Sequence, residues 1–451
     1  MIFASKSTTR TICTAAALWF LTVLDQSITV SAATAAEWKG RAIYQVVTDR
    51  FYNGDGKSSA PCDNLSLYCG GTFDGITQKL DYIHGMGFDA IWISPVVKNM
   101  DNGYHGYWAQ DFYSTNPNFG TLESLSNLVK EAHQRDMFVM VDVVANHAGF
   151  NGDFSSTAPF NTSSDYHSRC DINNWNDQTQ VEQCWVTGQL SDLNTEDPWV
   201  QAELGRIVRW WVTKAGPFDG VRIDTVKHVR KDFWTGFTGA AGVFAMGEVF
   251  SNDAGYVGDY QKVMDSLHSY PMYYQLRNVF QQKQSMWSIS NQVWTDKQNF
   301  KDTTVLGSFV ENHDNPRFLH DQSDMSLYKN ALAYVMMAEG IPTIYYGAEQ
   351  AYAGGQDPGN REPLWTSGWS TDSDLYKFLK TLNTVRTKDR FANNTMNIHV
   401  SDNIYTFTRG NAFIALSNVG SGQSVEAISP VPSSFKNGAG EEASRQRLRQ
   451  Q

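Results

Sequence analysis

Short apolar runs recur along the chain and alternate with amphipathic segments. Seven runs between residues 42 and 347 are followed by polar or Gly-containing sequence: AIYQVVTDRF, FDAIWISPV, MFVMVDVVANH, FDGVRID, GVFAMGEV, VLGSFVENHD and GIPTIYYG. Between them, stretches such as LESLSNLVKEAHQRD and PWVQAELGRIVRWWVTKAG carry apolar residues at helical spacing. Strands that alternate with helices are typical of a parallel α/β sheet.

The number of apolar runs favours a closed barrel over an open sheet. A weaker eighth run lies around Val263 to His268, and eight strands suit a (β/α)8 TIM barrel. An open, doubly wound sheet is the alternative, but no Gly-rich dinucleotide-binding motif follows the first run. We therefore predict an α/β fold with a barrel over residues 33–390.

Two regions break this rhythm. Residues 149–192 are polar, rich in Asn, Asp and Ser, and contain two cysteines, which indicates a small excursion domain after the third strand. From residue 391 the pattern changes to short alternating runs, NIYTFTRG and AFIALSNVG, which predict antiparallel hairpins in a C-terminal β domain over 391–451. The last segment, SSFKNGAGEEASRQRLRQQ, has almost nothing to bury and is expected to be disordered.

The N-terminal segment has the features of a secretory signal. Lys6 and Arg10 precede an apolar run over residues 15–24, and Val30-Ser31-Ala32 fits the small-residue rule for cleavage. A membrane anchor is the alternative, but the run is shorter than the roughly 20 apolar residues that a spanning helix needs. We therefore expect residues 1–32 to be a signal peptide, the protein to be secreted, and no membrane to be a partner.

Removal of this signal takes away Cys13 and leaves an even number of cysteines: Cys62, Cys69, Cys170 and Cys184. In a secreted chain this indicates disulfides, for which three pairings are possible. Proximity favours Cys62 with Cys69 and Cys170 with Cys184. A four-cysteine zinc site is the alternative, but no C-x-x-C spacing supports it. Tripeptides that match the N-glycosylation sequon, which often arise by chance, begin at Asn64, Asn161 and Asn393.

Composition favours a neutral ligand. The formal net charge is -11 and no basic run lies inside the folded region, which argues against nucleic acid or anionic lipid as a partner. The chain contains 14 Trp and 20 Tyr, which serve mostly a core but suit the stacking of flat ligands such as sugar rings. We expect a neutral substrate and a monomeric protein.

Polar residues follow several of the apolar runs, where each predicted strand ends. In barrels of this kind the active site lies at the C-terminal ends of the strands. The residues at these positions are Asn146, His147, Arg222, Asp224, Glu248, His313 and Asp314. A single strand-end carboxylate is more often a helix cap or a loop ligand. Three carboxylates from three separate strands, together with two histidines, instead indicate a catalytic site.

The segment GVRIDTVKH, residues 220–228, places two charges inside a short buried strand. Because side chains alternate along a strand, Arg222 and Asp224 share one face while Val221 and Ile223 share the other. Burying both charges is costly unless they pair. We therefore expect Arg222 to hold Asp224 in its ionised form.

Four segments together resemble the sequence regions of the α-amylase family of glycoside hydrolases. They are DVVANH at 142–147, GVRIDTVKH at 220–228, GEV at 247–249 and FVENHDN at 309–315. The similarity is closest to the secreted fungal enzymes of the Taka-amylase type. It extends through GYHGYWAQDFY, NDQTQVEQCW and GAEQAYAGGQDPGNRE, and covers roughly residues 36–390.

The resemblance implies endo-acting hydrolysis of α-1,4-glucosidic bonds in starch, glycogen and related α-glucans, with retention of configuration. Retention needs a nucleophilic carboxylate and a carboxylic acid about 5 to 5.5 Å apart. Asp224 matches the family nucleophile, Glu248 the general acid/base, and Asp314 a third carboxylate thought to help distort the sugar. The apolar lead-in VFAMG and the nearby Asp224 are expected to raise the pKa of Glu248.

The resemblance also implies substrate-binding and calcium-binding residues. The residues that match sugar-binding positions are His105, Tyr107, Trp108, His147, Arg222, Lys227, His228, His313, Asp357 and Arg361. For Asp357 and Arg361, a surface ion pair is an equal alternative. The implied Ca²⁺ ligands are the hard oxygen donors of Asn146, Glu182, Asp192 and the backbone carbonyl of His228. Glu182 and Asp192 are also interpretable as surface acids of a loop.

The chain departs from the family at its C-terminal end. The family domain there is usually a complete antiparallel sandwich of about 100 residues, so we interpret residues 391–451 as a shortened domain. Unpaired edges and apolar faces are expected to lower its stability or promote aggregation. Two later disulfides of related proteins have no matching cysteines here.

Two other functions stay open. One is a transglycosylating or maltogenic enzyme of the same family, which differs in loops around the substrate. The other is a catalytically silent sugar-binding scaffold, although such relatives typically lose a catalytic carboxylate and none is missing here.

Overall fold

The structure is a computed structural model that describes residues 33–54, 62–389, 395–410 and 412–425. The signal peptide and the disordered tail expected from the sequence, and the sequon at Asn393, lie outside the described residues.

Fifteen strands are described. They are β1 (Ile43–Val46), β2 (Ala90–Ile93), β3 (Val97–Asn99), β4 (Ala109–Thr115), β5 (Phe138–Val143), β6 (His147–Gly149), β7 (Leu190–Asp192), β8 (Gly220–Ile223), β9 (Phe244–Gly247), β10 (Ser266–Leu267), β11 (Gly307–Ser308), β12 (Ile341–Tyr345), β13 (Thr395–Val400), β14 (Ile404–Arg409) and β15 (Ala412–Ser417).

Fourteen α-helices are described. They are α1 (Ala35–Trp38), α2 (Thr48–Phe51), α3 (Phe73–Gln78), α4 (Leu80–Gly85), α5 (Leu122–His133), α6 (Gln178–Gln183), α7 (Pro198–Trp210), α8 (Lys231–Ala241), α9 (Ala254–Asp259), α10 (Tyr270–Phe280), α11 (Trp287–Asn299), α12 (Phe318–Asp321), α13 (Met325–Met337) and α14 (Asp374–Asp389). Short 3-10 turns include Val226–His228 and Thr303–Val305, and one π turn, Trp211–Ala215, extends α7.

Eight parallel strands form the barrel predicted from the sequence. Their order in the sheet is β10-β9-β8-β5-β2-β1-β12-β11. Each hydrogen-bonded pair in this series is also consecutive among the eight strands along the chain, except that the first strand, β1, pairs with the last, β12. A parallel bridge between His268 and Gly307 joins the two ends of this series and closes the barrel. The weak eighth run forms only the two-residue strand β10, and β11 is equally short. Residues 309–314 of the VLGSFVENHD run therefore belong to the loop after β11, which carries His313 and Asp314.

The barrel strands bury both faces. One set of side chains, which includes Ile43, Trp92, Met140 and Met246, forms a core cluster of its own, as expected for the barrel interior. The alternate set, which includes Val221 and Ile223, belongs to the much larger cluster that also contains the helices. Because side chains alternate along a strand, Arg222 points into the barrel while Val221 and Ile223 point toward the helices.

Trp38 fills the end of the barrel where the strands begin. Its side chain is fully buried, stacks on Phe244 with ring centroids 5.2 Å apart, and packs edge-on against Phe138. The indole Nε1 donates to the Asp219 carbonyl at 3.1 Å. A Cβ atom on Gly220 would lie 3.0 Å from the indole, so the ring reaches the backbone of β8. Trp38 therefore occupies the space below the barrel, away from the strand ends that carry the candidate site.

The excursion after the third barrel strand is visible as an antiparallel pair. β6 and β7 bracket it, with His147 opposite Asp192 and Gly149 opposite Leu190. The Cys170–Cys184 disulfide lies inside this segment, with Cα atoms 4.8 Å apart. Cys62 and Cys69 form the other disulfide, with Cα atoms 5.3 Å apart. Both predicted pairings are confirmed, and the zinc alternative is wrong because all four thiols are used.

The C-terminal strands form a three-stranded antiparallel sheet in the order β13-β14-β15, as the alternating pattern predicted. β14 is buried along its whole length. Tyr405 and Phe407 lie near Tyr334 of α13 and share the main core cluster with it. The expected exposure of apolar faces is therefore not seen in the described part of β14. Within the described residues, no helix is long and apolar enough to cross a membrane.

Trp38→Ala is expected to destabilise the protein by about 3 to 5 kcal/mol, because the space below the barrel loses both the stacked ring and its hydrogen bond. Trp38→Phe, which keeps an aromatic ring, is expected to cost less. Urea unfolding followed by circular dichroism measures both. An alanine variant with an unchanged unfolding midpoint would show that the ring does not support the barrel.

Candidate active site

A single buried guanidinium contacts three carboxylates at the centre of the barrel mouth. Arg222 Nη1 lies 2.7 Å from Asp224 Oδ1 and 3.1 Å from both carboxylate oxygens of Asp142. Its Nη2 lies 3.0 Å from Glu248 Oε1. The expected pairing of Arg222 with Asp224 is confirmed. The guanidinium also binds Asp142 and Glu248. These contacts join different strands, so the alternation of side chains along β8 does not predict them.

Strand register explains this arrangement. β5, β8 and β9 are adjacent and parallel, and Asp142 pairs directly with Arg222 across β5 and β8. Paired residues on parallel strands point the same way, so both side chains enter the barrel interior. Asp224 is the first residue after β8, and Glu248 is the first residue after β9. Both therefore lie closer to the barrel mouth than Arg222 does.

Glu248 is almost completely buried, and its contacts fix its orientation. Tyr270 donates its hydroxyl to Glu248 Oε1 at 3.0 Å, and the Thr225 backbone N–H donates to Oε2 at 3.3 Å. Burial raises the pKa of Glu248; Arg222 opposes this, and the negative charge of Asp224 adds to it. The expected direction of the shift is confirmed, although the surroundings of the carboxyl are polar rather than apolar.

Thr225 has a left-handed backbone, with φ of 50° and ψ of 37°. This conformation is unfavourable for a β-branched residue and is found mostly where the surrounding structure imposes it. Thr225 directs its N–H to Glu248 and donates its hydroxyl to Asp224 Oδ2 at 3.0 Å. The strained turn therefore orients both carboxylates.

Asp142 is the buried acid that the sequence analysis did not select. Tyr107 donates its hydroxyl to Asp142 Oδ2 at 2.8 Å, and the Trp92 indole donates to the same oxygen at 3.1 Å. Burial raises the pKa of Asp142 to about 7; Arg222 opposes this shift, while Asp224 adds to it. Asp142 therefore competes with Asp224 and Glu248 for the charge of Arg222.

Asp314 lies on the loop after β11 and contacts two predicted site residues. Its Oδ2 lies 3.3 Å from His313 Nε2, and its Oδ1 lies 3.5 Å from the Arg361 guanidinium. The side chain keeps 34% of its surface exposed. The surrounding protein and the charge of Glu248 still raise the pKa of Asp314, against the effect of Arg361. Asp314 therefore joins the other carboxylates electrostatically while remaining open to solvent.

Arg361 is buried, so its pairing with Asp357 is not an ion pair between two surface residues. One guanidinium nitrogen lies 3.1 Å from Asp357 Oδ1 and donates to the Tyr104 hydroxyl at 3.1 Å. Its Nε donates to the His313 carbonyl at 2.9 Å. Arg361 therefore fixes the loop that carries His313 and Asp314, and leaves Asp357 half-exposed at the rim.

The segment between β3 and β4 carries the aromatic residues His105, Tyr107 and Trp108 and borders the same site. Tyr107 stacks with His313, with ring centroids 5.4 Å apart and an interplanar angle of 4°, and also stacks with His105. The His105 ring meets Trp108 edge-on at 4.6 Å. Tyr107 and Trp108 are each partly exposed. These rings line the barrel mouth, but the hydroxyl of Tyr107 is already held by Asp142.

A second aromatic group surrounds Lys227. The ammonium donates to the Phe250 carbonyl at 2.9 Å and lies 5.1 Å from the centroid of the Trp175 ring. Trp175 is 56% exposed and Phe250 is 38% exposed. Phe250 also packs against Tyr270, which binds Glu248. Neither Trp175 nor Phe250 was selected from the sequence, although both are positioned to contact a ligand that extends from Glu248.

His147 and His228 are both buried, and burial lowers the pKa of each to about 4. The Nε2 atom of His147 has no hydrogen-bond partner among the described residues. The Nδ1 atom of His228 contacts the Val181 carbonyl at 2.9 Å, which connects it to the excursion segment. Both rings are therefore neutral at ordinary pH, and His147 retains an unused polar atom.

Three of the four oxygens implied for calcium converge. Asn146 Oδ1 lies 3.0 Å from Asp192 Oδ1 and 2.8 Å from the His228 carbonyl oxygen. Three acceptors at this separation repel one another unless a cation lies among them. The reversed amide removes the repulsion, because Nδ2 would then donate to both oxygens. The donor set is the hard-oxygen type that Ca²⁺ prefers, so these residues fit the ion.

Glu182, the fourth implied ligand, is bound elsewhere in this structure. Its Oε1 accepts a hydrogen bond from Gln178 Nε2 at 2.8 Å. Within the described residues, no cluster of three or more His, Cys, Asp or Glu side chains is suited to a metal. The convergent oxygens instead come from one amide, one carboxylate and one backbone carbonyl, a combination that only the family resemblance indicated.

Comparison with known proteins decides the family. The model of the α-amylase catalytic domain matches residues 45–429. The chain belongs to the α-amylase family. Alpha-amylase 2 of Schwanniomyces occidentalis is 45% identical over 392 residues, which cover 83% of this chain and 76% of that protein. An alpha-amylase of Saccharomycopsis fibuligera is 42% identical over 409 residues, covering 86% of this chain and 83% of that protein.

A solved structure agrees with this assignment. The alpha-amylase of Malbranchea cinnamomea matches with a TM-score of 0.84 and 44% sequence identity, and the match covers 86% of this chain and 87% of that one. The chain is thus a glycoside hydrolase of the α-amylase family with the TIM-barrel fold of that family.

Proposed function

We propose that the protein hydrolyses α-1,4-glucosidic bonds within starch, glycogen and related α-glucans, with retention of anomeric configuration. The observation that carries this proposal is the attachment of Asp224 and Glu248 to different nitrogens of one guanidinium. This holds two carboxyl groups close together at the barrel mouth. A short separation favours the retaining mechanism, because inversion needs room for a water between the carboxyls.

In this mechanism Glu248 donates its proton to the glycosidic oxygen while Asp224 attacks the anomeric carbon. The glycosidic bond breaks, the leaving glucan departs as an alcohol, and a covalent glycosyl-enzyme forms. Glu248, now a carboxylate, removes a proton from water, whose oxygen then displaces Asp224 from the anomeric carbon. The raised pKa of Glu248 supports its role as the acid of the first step.

The other residues are assigned to binding and charge stabilisation. Asp314, held near Glu248 by His313 and Arg361, is placed to stabilise the positive charge that develops on the sugar ring. We assign sugar binding to the residues predicted for it: His105, Tyr107, Trp108, His147, Arg222, Lys227, His228, His313, Asp357 and Arg361. We add Trp175 and Phe250, which extend an aromatic surface away from Glu248.

Hydrolysis is favoured over the two alternatives. A silent scaffold is disfavoured because Asp224, Glu248 and Asp314 are all present and positioned. Transglycosylation uses the same first step and differs only in whether a sugar hydroxyl replaces water in the second. The named α-amylases at 42–45% identity favour water as the acceptor.

Asp224→Asn and Glu248→Gln are each expected to lower kcat on soluble starch by at least about 10⁴-fold while the fold is retained. The wild-type protein should release mixed-length oligosaccharides whose new reducing ends are first in the α form, as seen by proton NMR. Asp372→Asn, at a side chain that is 90% exposed, serves as the control. Fresh β-anomeric products, or near-normal turnover in the Asp224 variant, would rule out this assignment.

Asp142→Asn is expected to move the basic limb of the kcat/KM profile to lower pH, by about one unit. Removal of the Asp142 charge leaves more of the Arg222 charge to stabilise ionised Glu248, so the pKa of Glu248 falls. The acid then loses its proton at lower pH, and activity falls with it. The same Asp372→Asn control should leave the profile unchanged. A basic limb that stays in place or moves upward would contradict this role of Asp142.

We also propose that calcium binds at Asn146, Asp192 and the His228 carbonyl, with Glu182 reoriented to join them. The convergent oxygens support this proposal. When bound, the ion supplies charge neutralisation that links residues 149–192 to the barrel. Residues 149–192 would then act as a calcium-associated excursion domain inserted in the catalytic barrel, with 391–451 as a separate β domain.

A calcium chelator is expected to lower the unfolding temperature by about 5 to 10 °C, and added Ca²⁺ should restore it while Mg²⁺ should not. Asp192→Asn should abolish the difference between chelator and calcium, because it removes the only charge among the three convergent oxygens. Equal unfolding temperatures of the wild-type protein in chelator and in calcium would instead indicate the reversed amide of Asn146.

We propose that the protein acts outside the cell. Its two disulfides support this, since such bonds persist in oxidising compartments. The side chains of Asn64 and Asn161 are exposed and therefore accessible to glycosylation.

A further inference from the structure

Two tryptophan side chains project into solvent from one face of α11. Trp287 is 47% exposed, and Trp294, at 68%, is the most exposed large apolar side chain of the described residues. They lie seven positions apart, which is about two helical turns and about 10 Å along the axis. Asn291 lies between them and Gln298 follows one turn beyond, and both are exposed. We call these four residues the tryptophan face.

The tryptophan face does not hold α11 in place. The opposite side of the helix does, because Ile289 and Asp296 are buried there. The start of the helix is also fixed, since the Met286 N–H donates to the Asp402 carbonyl at 3.0 Å and Ser285 donates to the Asp402 carboxylate at 2.8 Å. Exposed apolar surface that folding does not require often marks a binding site. The face is therefore a rigid surface available to a ligand.

The chemistry of the face selects an uncharged ligand with both apolar and hydroxyl surfaces. Its polar members, Asn291 and Gln298, are amides that donate and accept hydrogen bonds without carrying charge, and the exposed Lys297, three residues after Trp294, places one positive charge at its edge. A single lysine at the edge of the face, on a chain of net charge -11, offers little attraction to nucleic acid or to an anionic membrane. Sugar rings match it, because they present C–H groups to an indole and hydroxyls to neighbouring amides.

The spacing of the indoles indicates a polymer rather than a single sugar. Two rings about 10 Å apart are separated by more than the width of one pyranose ring. One ligand contacts both only if it is an extended chain of sugars. We propose that the tryptophan face binds an α-glucan chain outside the catalytic cleft; the identity of this polymer rests on the proposed function.

This surface is distinct from the candidate active site. The catalytic carboxylates lie at the ends of strands, whereas α11 lies outside the barrel and precedes β11. Among the described residues, none of those that contact Arg222, Asp314 or Lys227 belongs to α11. Binding at a second point keeps the enzyme on an insoluble substrate between cleavages, because the cleft then meets the glucan at a raised effective concentration.

The test compares adsorption to granular starch with hydrolysis of a short soluble maltooligosaccharide, using the full-length protein. The double variant Trp287→Ala/Trp294→Ala is expected to adsorb at least about tenfold more weakly, because two stacking contacts are lost. Its kcat/KM on the oligosaccharide should remain unchanged. Wild-type adsorption should be insensitive to added salt, as expected for a neutral ligand.

Trp199→Ala is the matched control, since Trp199 is 44% exposed on a different helix, α7. It should adsorb like the wild type. Unchanged adsorption of the double variant, or an equal loss in the control, would overturn the proposal. So would a dimer, detected by sedimentation, that the double substitution dissociates, because the face would then bind a second copy. Adsorption is measured without turnover, so a failure of the proposed hydrolysis is distinguishable from a failure of this site.

Discussion

The buried guanidinium of Arg222 is the interaction on which the site depends. One positive charge faces Asp142, Asp224 and Glu248, and a charge removed from water is costly unless it is paired. A single cation cannot neutralise three anions, so the shortage of positive charge favours protonation of some of them. Burial is the main reason why the pKa of Asp142 and of Glu248 is raised; Arg222 opposes the shift, and the negative charge of Asp224 adds to it. The arrangement that pairs Arg222 with Asp224 thus also places Glu248 where burial and a neighbouring carboxylate raise its pKa.

The barrel makes this arrangement possible. Adjacent parallel strands in register place Asp142 and Arg222 side by side in the interior, and the next residues along the strands rise to the mouth. Below them the interior is filled mainly by apolar side chains and the Trp38 ring, so the charged groups of the site lie at one end. The loops then close around that end, since Arg361 fixes His313 and Thr225 binds both Asp224 and Glu248.

Local sequence patterns were sufficient for the strands, for the disulfides and for the pairing of Arg222 with Asp224, because each depends on spacing within one segment. Asp142 was missed because it sits within an apolar run, and its proximity to Arg222 depends on register between two strands. Trp175 and Phe250 come from distant segments that meet only around Lys227. The seven-residue spacing of Trp287 and Trp294 is visible in the sequence. The sequence does not show, however, that this side of the helix is exposed to solvent.

The candidate calcium cluster and the cleft are joined through neighbouring residues. Asn146 contributes to the cluster, and the next residue, His147, presents a nitrogen that has no partner in the described part of the chain. The His228 carbonyl also contributes, and the preceding Lys227 lies between exposed aromatic rings. Adjacent residues cannot move independently, so a shift of the excursion segment would displace the binding residues. The proposed catalytic carboxylates are held separately, by Arg222 on the barrel strands. Loss of the cluster should therefore weaken binding of the glucan before it disturbs the chemistry.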